Sequence, residues 1–130
     1  MGKRRKGGPT DAELAILQVL WDRGPSTVRQ VHERLAPQRA TGYTTTLKLL
    51  QIMTDKGLVD RDKSERTHVY RARLSQQRTQ KQLVGDLLER AFAGSARRLV
   101  MQALEAGDVS PTELAEIRRF LDELEGEAEK

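Results

Sequence analysis

Apolar residues recur along this chain first at helical spacing, then briefly in alternation, then at helical spacing again. The opening stripe is Leu14, Leu17, Leu20 and Trp21. Thr10-Asp11-Ala12-Glu13 precedes it as a capping box, a hydroxyl and a carboxylate answering the free amides of a helix start. Gly24-Pro25 stops it, which predicts a helix over about residues 11–22. Ser26 or Thr27 caps a second helix, with Val28, Val31 and Leu35 turned inward and Pro37 at its end. Thr41 caps a third, from Gly42 to Lys56, and Gly57 ends it.

At about 100° per residue, the third helix sorts its side chains by face. Thr46, Leu50 and Met53, flanked by Leu49, form the core stripe. Thr44, Lys48, Gln51 and Asp55 lie opposite, with Thr45 and Ile52 on one flank and Leu47 on the other. A helix that presents hydroxyls, an amine and an amide outward can touch phosphates and base edges. Next, Leu58-Val59-Asp60-Arg61-Asp62 and Thr67-His68-Val69-Tyr70-Arg71-Ala72-Arg73 read as two strands. Lys63-Ser64-Glu65-Arg66 is polar and short enough to join them as a hairpin. Three helices followed by a charged hairpin is the winged-helix order, in which the third helix enters the major groove and the hairpin tip lies on the neighbouring backbone.

Beyond Ser75 the helical period returns in three segments. The first, about 76–93, carries Leu83, Val84, Leu87, Leu88, Ala91 and Phe92. The second, about 96–106, carries Leu99, Val100, Ala103 and Leu104. The third starts at Ser110-Pro111-Thr112-Glu113, with a capping serine, proline at the first position and glutamate at the third. Leu114, Ile117, Leu121 and Leu124 follow at helical spacing. Short helices with so few aromatic residues make a poor core alone, and pairing with a second copy would bury their stripes. The expected fold is mainly α with a small β-hairpin. A basic flexible arm (residues 1–9) precedes a winged helix-turn-helix DNA-binding domain (10–74), and a three-helix dimerisation region (75–130) follows.

Charge sharpens this division. The 130 residues carry a net +4, but residues 1–73 hold 15 basic and 8 acidic side chains, net +7, and residues 74–130 hold 8 and 11, net −3. The front half suits a polyanion; the rear half would be kept off it. An apolar content of 37% is low for a self-sufficient core, again favouring a shared one. With no cysteine there is no disulfide framework, thiolate metal site or cysteine nucleophile. His32 and His68 are the only histidines and leave little for a metal or catalytic centre. No nucleophile elbow, phosphate loop or metal-ligand spacing is present, so neither an enzyme nor a cofactor is expected. No apolar run is long enough to span a membrane, the basic start lacks the apolar segment of a secretory signal, and Lys6 stands where myristoylation needs Ser or Thr. A soluble, cytoplasmic protein is expected.

Several of these residues together resemble the penicillinase repressor family. Thr10-Asp11-Ala12-Glu13-Leu14 through Leu20-Trp21, then Gly24, Thr27-Val28 and Val31, are similar to the family's opening. Gly42-Tyr43-Thr44-Thr45 matches the start of its recognition helix, and Lys56-Gly57-Leu58-Val59, Arg61 and His68-Val69-Tyr70 its hairpin. The likeness runs from about residue 10 to 124 and is weaker beyond 75. It implies a homodimeric winged-helix repressor on a palindromic operator, with Thr44, Thr45 and Lys48 in the DNA-reading part of the third helix. The family often has an arginine before the last core leucine; Gln51-Ile52 precede Met53 here, and that phosphate contact is not carried over. Some family members are cleaved in the rear half by a membrane-bound sensor protease. Their Asn-Phe cleavage pair falls by position on Gln102-Ala103, so the known site is not reproduced. The copper-sensing branch binds metal through C-terminal cysteines, which this chain lacks.

The candidate DNA contacts are therefore Thr41, Tyr43, Thr44, Thr45, Lys48 and Gln51 from the third helix and its approach, with Arg61, Lys63 and Arg66 from the hairpin. The candidate dimer contacts are Leu83, Leu87, Phe92, Leu99, Val100, Leu104, Leu114, Ile117 and Leu121. Each has a plainer reading beside it. The outward face of the third helix could be ordinary solvated surface. The hairpin cations could only solubilise a sheet edge, and the rear stripes could be packing extensions. The basic run at residues 3–6 reads equally as a minor-groove arm or as an unstructured tail. A protein-interaction module that does not bind DNA is the competing function; Trp21 and Tyr70 read as core, and His32 and His68 as plain histidines.

Overall fold

The capping box at Thr10 forms in full: its hydroxyl accepts from the Glu13 amide at 3.2 Å, and the Glu13 carboxylate accepts from the Thr10 amide at 3.0 Å. From it runs α1 (Asp11–Arg23), ended at Gly24 with φ 96°, a conformation that glycine adopts without strain. α1 buries Ile16, Leu17, Val19 and Leu20, whereas Leu14 and Trp21 are only half-buried. Its inner face is wider than the leucine spacing suggested. The computed structural model describes residues 8–37 and 41–128, so the basic run at residues 3–6 lies outside the described residues.

A two-residue strand, β1 (Ser26–Thr27), follows; it is too short to show alternation in sequence. Thr27 caps α2 (Val28–Leu35), trading hydrogen bonds with Gln30 at 3.1 and 2.9 Å. Ser26 is buried instead, its hydroxyl donating to the Gly24 carbonyl at 2.8 Å. α3 (Tyr43–Lys56) begins one residue later than a Thr41 cap would set it. Gly42 holds the cap position, and its carbonyl takes the first helical bond from the Thr46 amide at 3.1 Å. Gly57, at φ 83°, ends the helix as expected.

β2 (Val59–Asp62) and β3 (Val69–Ala72) form the hairpin, with β3 central in the order β1-β3-β2, all antiparallel. Both strands are shorter than predicted, and Thr67 and His68 belong to the connecting loop. The sheet closes one core with α1, α2 and α3, in which Leu17, Val31, Leu50, Met53, Val59 and Tyr70 are fully buried. The half-buried Trp21 indole donates to the Leu74 carbonyl at 2.9 Å, tying α1 to the end of the wing.

The chain divides into two compact units, Met1–Leu87 and Leu88–Lys130, and the division falls within α4 (Gln76–Phe92). The second unit holds the end of α4, then α5 (Ala96–Ala106) and α6 (Pro111–Ala128). α5 is capped by Ser95, and α6 by Ser110 in a reciprocal pair with Glu113 at 3.1 and 3.2 Å. Among its described residues no side chain is buried, and Val100, Met101, Phe120 and Leu121 are about half exposed.

One ion pair reaches into the first unit's interior. The Lys56 ammonium lies 2.8 Å from the Glu13 carboxylate, whose side chain is 3% exposed, and so joins the end of α3 to the start of α1. Burial alone would raise the Glu13 pKa. The Lys56 ammonium and the Thr10 amide outweigh it, and the carboxyl titrates below its ordinary 4.5. A depressed folded-state pKa means stability that is present above the unfolded value and lost as pH falls through the folded one. Glu13→Gln should therefore cost about 1–2 kcal/mol near neutrality, Lys56 being half solvated. Urea unfolding at neutral pH and near pH 3 should show that gap closing in acid; an equal gap at both would exclude the charge as its source.

Candidate nucleic-acid interface

Burying one stripe of α3 leaves its opposite face in solvent. Tyr43, Thr44, Thr45, Lys48, Gln51 and Asp55 are all exposed, as is Ile52, while Thr41 just before the helix is half-buried. The first turn is braced from α2. The Arg29 guanidinium carbon lies 5.6 Å over the Tyr43 ring, and His32 meets that ring edge-on at 5.9 Å. The buried Thr46 hydroxyl donates to the Gly42 carbonyl at 3.3 Å and lies 3.4 Å from His32 Nδ1. Arg29 and His32 are one turn apart on α2, so a single face of that helix grips the start of α3.

The wing is shaped by its own acid. Asp62 accepts from the Ser64 amide at 2.9 Å, and its carboxyl sits below the ordinary 3.8, chiefly through Ser64's backbone and side chain and then through Arg71. Strand register pairs Arg61 with Tyr70, on the same face as Val59, which leaves Arg61 half-buried. Lys63 and Arg66 are exposed in the loop.

Charge is sorted in space. Through residue 73, Arg34 pairs with Asp22, Lys56 with Glu13, Arg71 with Asp62 at 3.9 Å and Arg73 with Asp60 at 4.0 Å. Among the described residues there, Arg23, Arg29, Lys48, Arg61, Lys63 and Arg66 have no carboxylate partner. All but Arg23 belong to α3, to the wing, or to the α2 residue that meets α3. Arg29 was missed from sequence because one arginine on a polar helix face looks merely solvated; its signal is the one-turn spacing to His32 with Tyr43 brought up against both.

The rear candidates divide by exposure: Leu87, Val100, Leu114 and Leu121 are exposed, and Leu83, Phe92, Leu99, Leu104 and Ile117 are half-buried. Gln102 and Ala103 are exposed on α5. Among the described residues no three side chains converge to hold a metal ion, and no helix is long and apolar enough to cross a membrane.

Three helices on a three-stranded antiparallel sheet, with a polar, outward third helix beside a cationic wing, define a winged-helix DNA-binding protein. The penicillinase repressor family model matches residues 9–123. The transcriptional regulator BlaI of Mycobacterium tuberculosis is 36% identical over 117 residues, spanning 88% of this chain and 83% of that protein. The penicillinase repressor of Bacillus licheniformis is 24% identical over 114 residues, 88% and 89% of the respective chains. A MarR family protein from Bacillus stearothermophilus, 21% identical, shares the fold over 95% of this chain and 77% of its own at a TM-score of 0.51. The chain belongs to the penicillinase repressor family.

The brace on α3 is open to test. Thr46→Val keeps the buried shape and removes the hydroxyl, and should cost about 0.5–1.5 kcal/mol in urea unfolding. It should also speed hydrogen exchange in the first turn of α3. Unchanged exchange there would mean that the hydroxyl does not hold the helix start.

Proposed function

We propose that this chain represses transcription as a homodimer on a palindromic operator, one winged helix to each half-site. It is a DNA-binding transcriptional repressor by family. The observation that carries the mode of binding is the sorting of cations: among the described residues Lys48 on α3's outer side, Arg61 on β2 and Lys63 and Arg66 in the wing loop lack carboxylate partners, whereas Arg34, Lys56, Arg71 and Arg73 have them. In this reading Thr44, Thr45, Lys48 and Gln51 approach base edges, with Thr41 and Tyr43 at the helix entry. Arg61, Lys63 and Arg66 hold backbone phosphates.

The homodimer is supported by the second unit, where apolar side chains recur at helical spacing and none of the described residues is buried. Helices without a core of their own gain stability from a partner's stripe, and a second copy offers the complementary one. Two recognition helices about 34 Å apart then read successive major grooves as one unit of high effective concentration. Repression follows from occupying a promoter. Induction by a membrane-bound protease would proceed through a cut at Gln102-Ala103 in α5, separating α6 from the DNA-binding unit.

Selection from a random pool of duplexes should return a palindrome; a protein-interaction module would return none. On that selected operator Lys48→Ala should cost about 1–3 kcal/mol, with a smaller loss on random duplex. Equal losses would remove Lys48 from base readout. In the second unit, Leu121→Glu should shift the sedimenting species from dimer towards monomer and weaken operator binding with it. A variant that remains dimeric would take α6 out of the interface.

A further inference from the structure

Between the start of α2, the start of α3 and the loop joining β2 to β3 lies an open groove of about 470 Å³. Arg29 and Arg66 stand in its walls, and no carboxylate lines it. Neither arginine has an acidic partner among the described residues. Two like charges held across one groove favour an anion between them. Arg29 is also ordered in advance, because its guanidinium carbon lies 5.6 Å over the Tyr43 ring and His32 braces Tyr43 from the edge. A guanidinium attracted to an aromatic ring still has N–H donors to offer an anion, and those donors match phosphate geometry.

We propose that this groove seats one phosphate of the DNA backbone, clamped by Arg29 from α2 and Arg66 from the wing, with Tyr43 as the platform that fixes Arg29. The inference rests on the DNA-binding reading and adds α2 to the elements that touch DNA. A backbone phosphate is favoured over a free anion by position. Tyr43 directly precedes Thr44 and Thr45 on the exposed face of α3, and the groove opens between that helix and the wing, where a strand bordering the major groove passes.

The test uses the full chain and a random-sequence duplex of about three helical turns, with affinity read by anisotropy across a salt series. Arg29→Gln and Arg66→Gln should each weaken binding about tenfold, while Arg29→Lys recovers part of the loss. Because both arginines serve one phosphate, the double variant should lower the slope of log affinity against log salt by about one. A drop of about two would mean two separate phosphates and overturn the shared seat. Unchanged affinity in Arg29→Gln would overturn Arg29's part outright. Inorganic phosphate at millimolar concentration should leave the wild-type thermal midpoint where it is; stabilisation abolished by Arg29→Gln would reassign the groove to a free anion. Failure of the wild-type protein to bind the duplex at low salt is a different result and would remove the DNA-binding reading itself.

Discussion

α3 buries a single narrow stripe, and the rest of the first unit depends on that restriction. Thr46, Leu50 and Met53 face the core, flanked by half-buried Leu47 and Leu49, while Lys48, Gln51 and Ile52 remain in solvent. A wider apolar face would draw Lys48 or Gln51 inward and leave nothing for a ligand to read. A narrow face is weakly held, however, and the helix is fixed at both ends by polar contacts instead. Lys56 reaches Glu13 at one end; at the other, His32, Thr46 and Tyr43 lock the first turn to α2. The order of α3's first turn thus comes in part from side chains of the neighbouring helix.

The same economy governs charge. An excess of cations destabilises a small fold by self-repulsion unless the cations are spread or paired. In the first unit the pairing is done away from the outer face of α3, and some of it is local, as between the strands at Arg71 and Asp62. Asp62 also turns the wing through its bond to Ser64. Acids on this hairpin shape it, Asp62 through Ser64 and Arg71, so the wing keeps a cationic tip without a surplus along its strands.

Much of this was legible in order and spacing. Capping boxes at Thr10 and Ser110, glycine stops at Gly24 and Gly57, and the periodic stripe of α3 all depend on local chemistry, which sequence carries directly. What escaped depends on tertiary context. β1 exists only because β3 is there to pair with it, as Ser26 with Tyr70 and Thr27 with Val69. Ile16 and Val19 are buried because the sheet and α2 enclose α1 more broadly than its leucines alone required. The cap fell to Gly42 rather than Thr41, and α3 starts without a side-chain cap bond, while the inward Thr46 donates back to the Gly42 carbonyl. Arg29 gained its meaning only when folding set Tyr43 beneath it. The candidate site was legible for α3 and the wing, whose periodicity announces them, and illegible for α2, whose Arg29 and His32 look merely solvated in sequence.

The second unit poses the opposite problem to the first. It has well-made helix starts and clear stripes, yet none of its described residues is fully buried and Phe92, Leu99, Leu104 and Ile117 are only half-buried. Helices of this length are marginal in water without packing, and the proposed second copy would supply what their own contacts do not. If a second copy supplies it, operator affinity becomes tied to subunit concentration, since only the paired form sets two winged helices on one operator. The negative balance of residues 74–130 fits that arrangement, because it discourages this half from competing for phosphate and leaves it to pair through its apolar positions. Any event that removes one stripe, a cut within α5 included, would then act on DNA binding at a distance by lowering effective concentration, with the recognition helix itself unaltered.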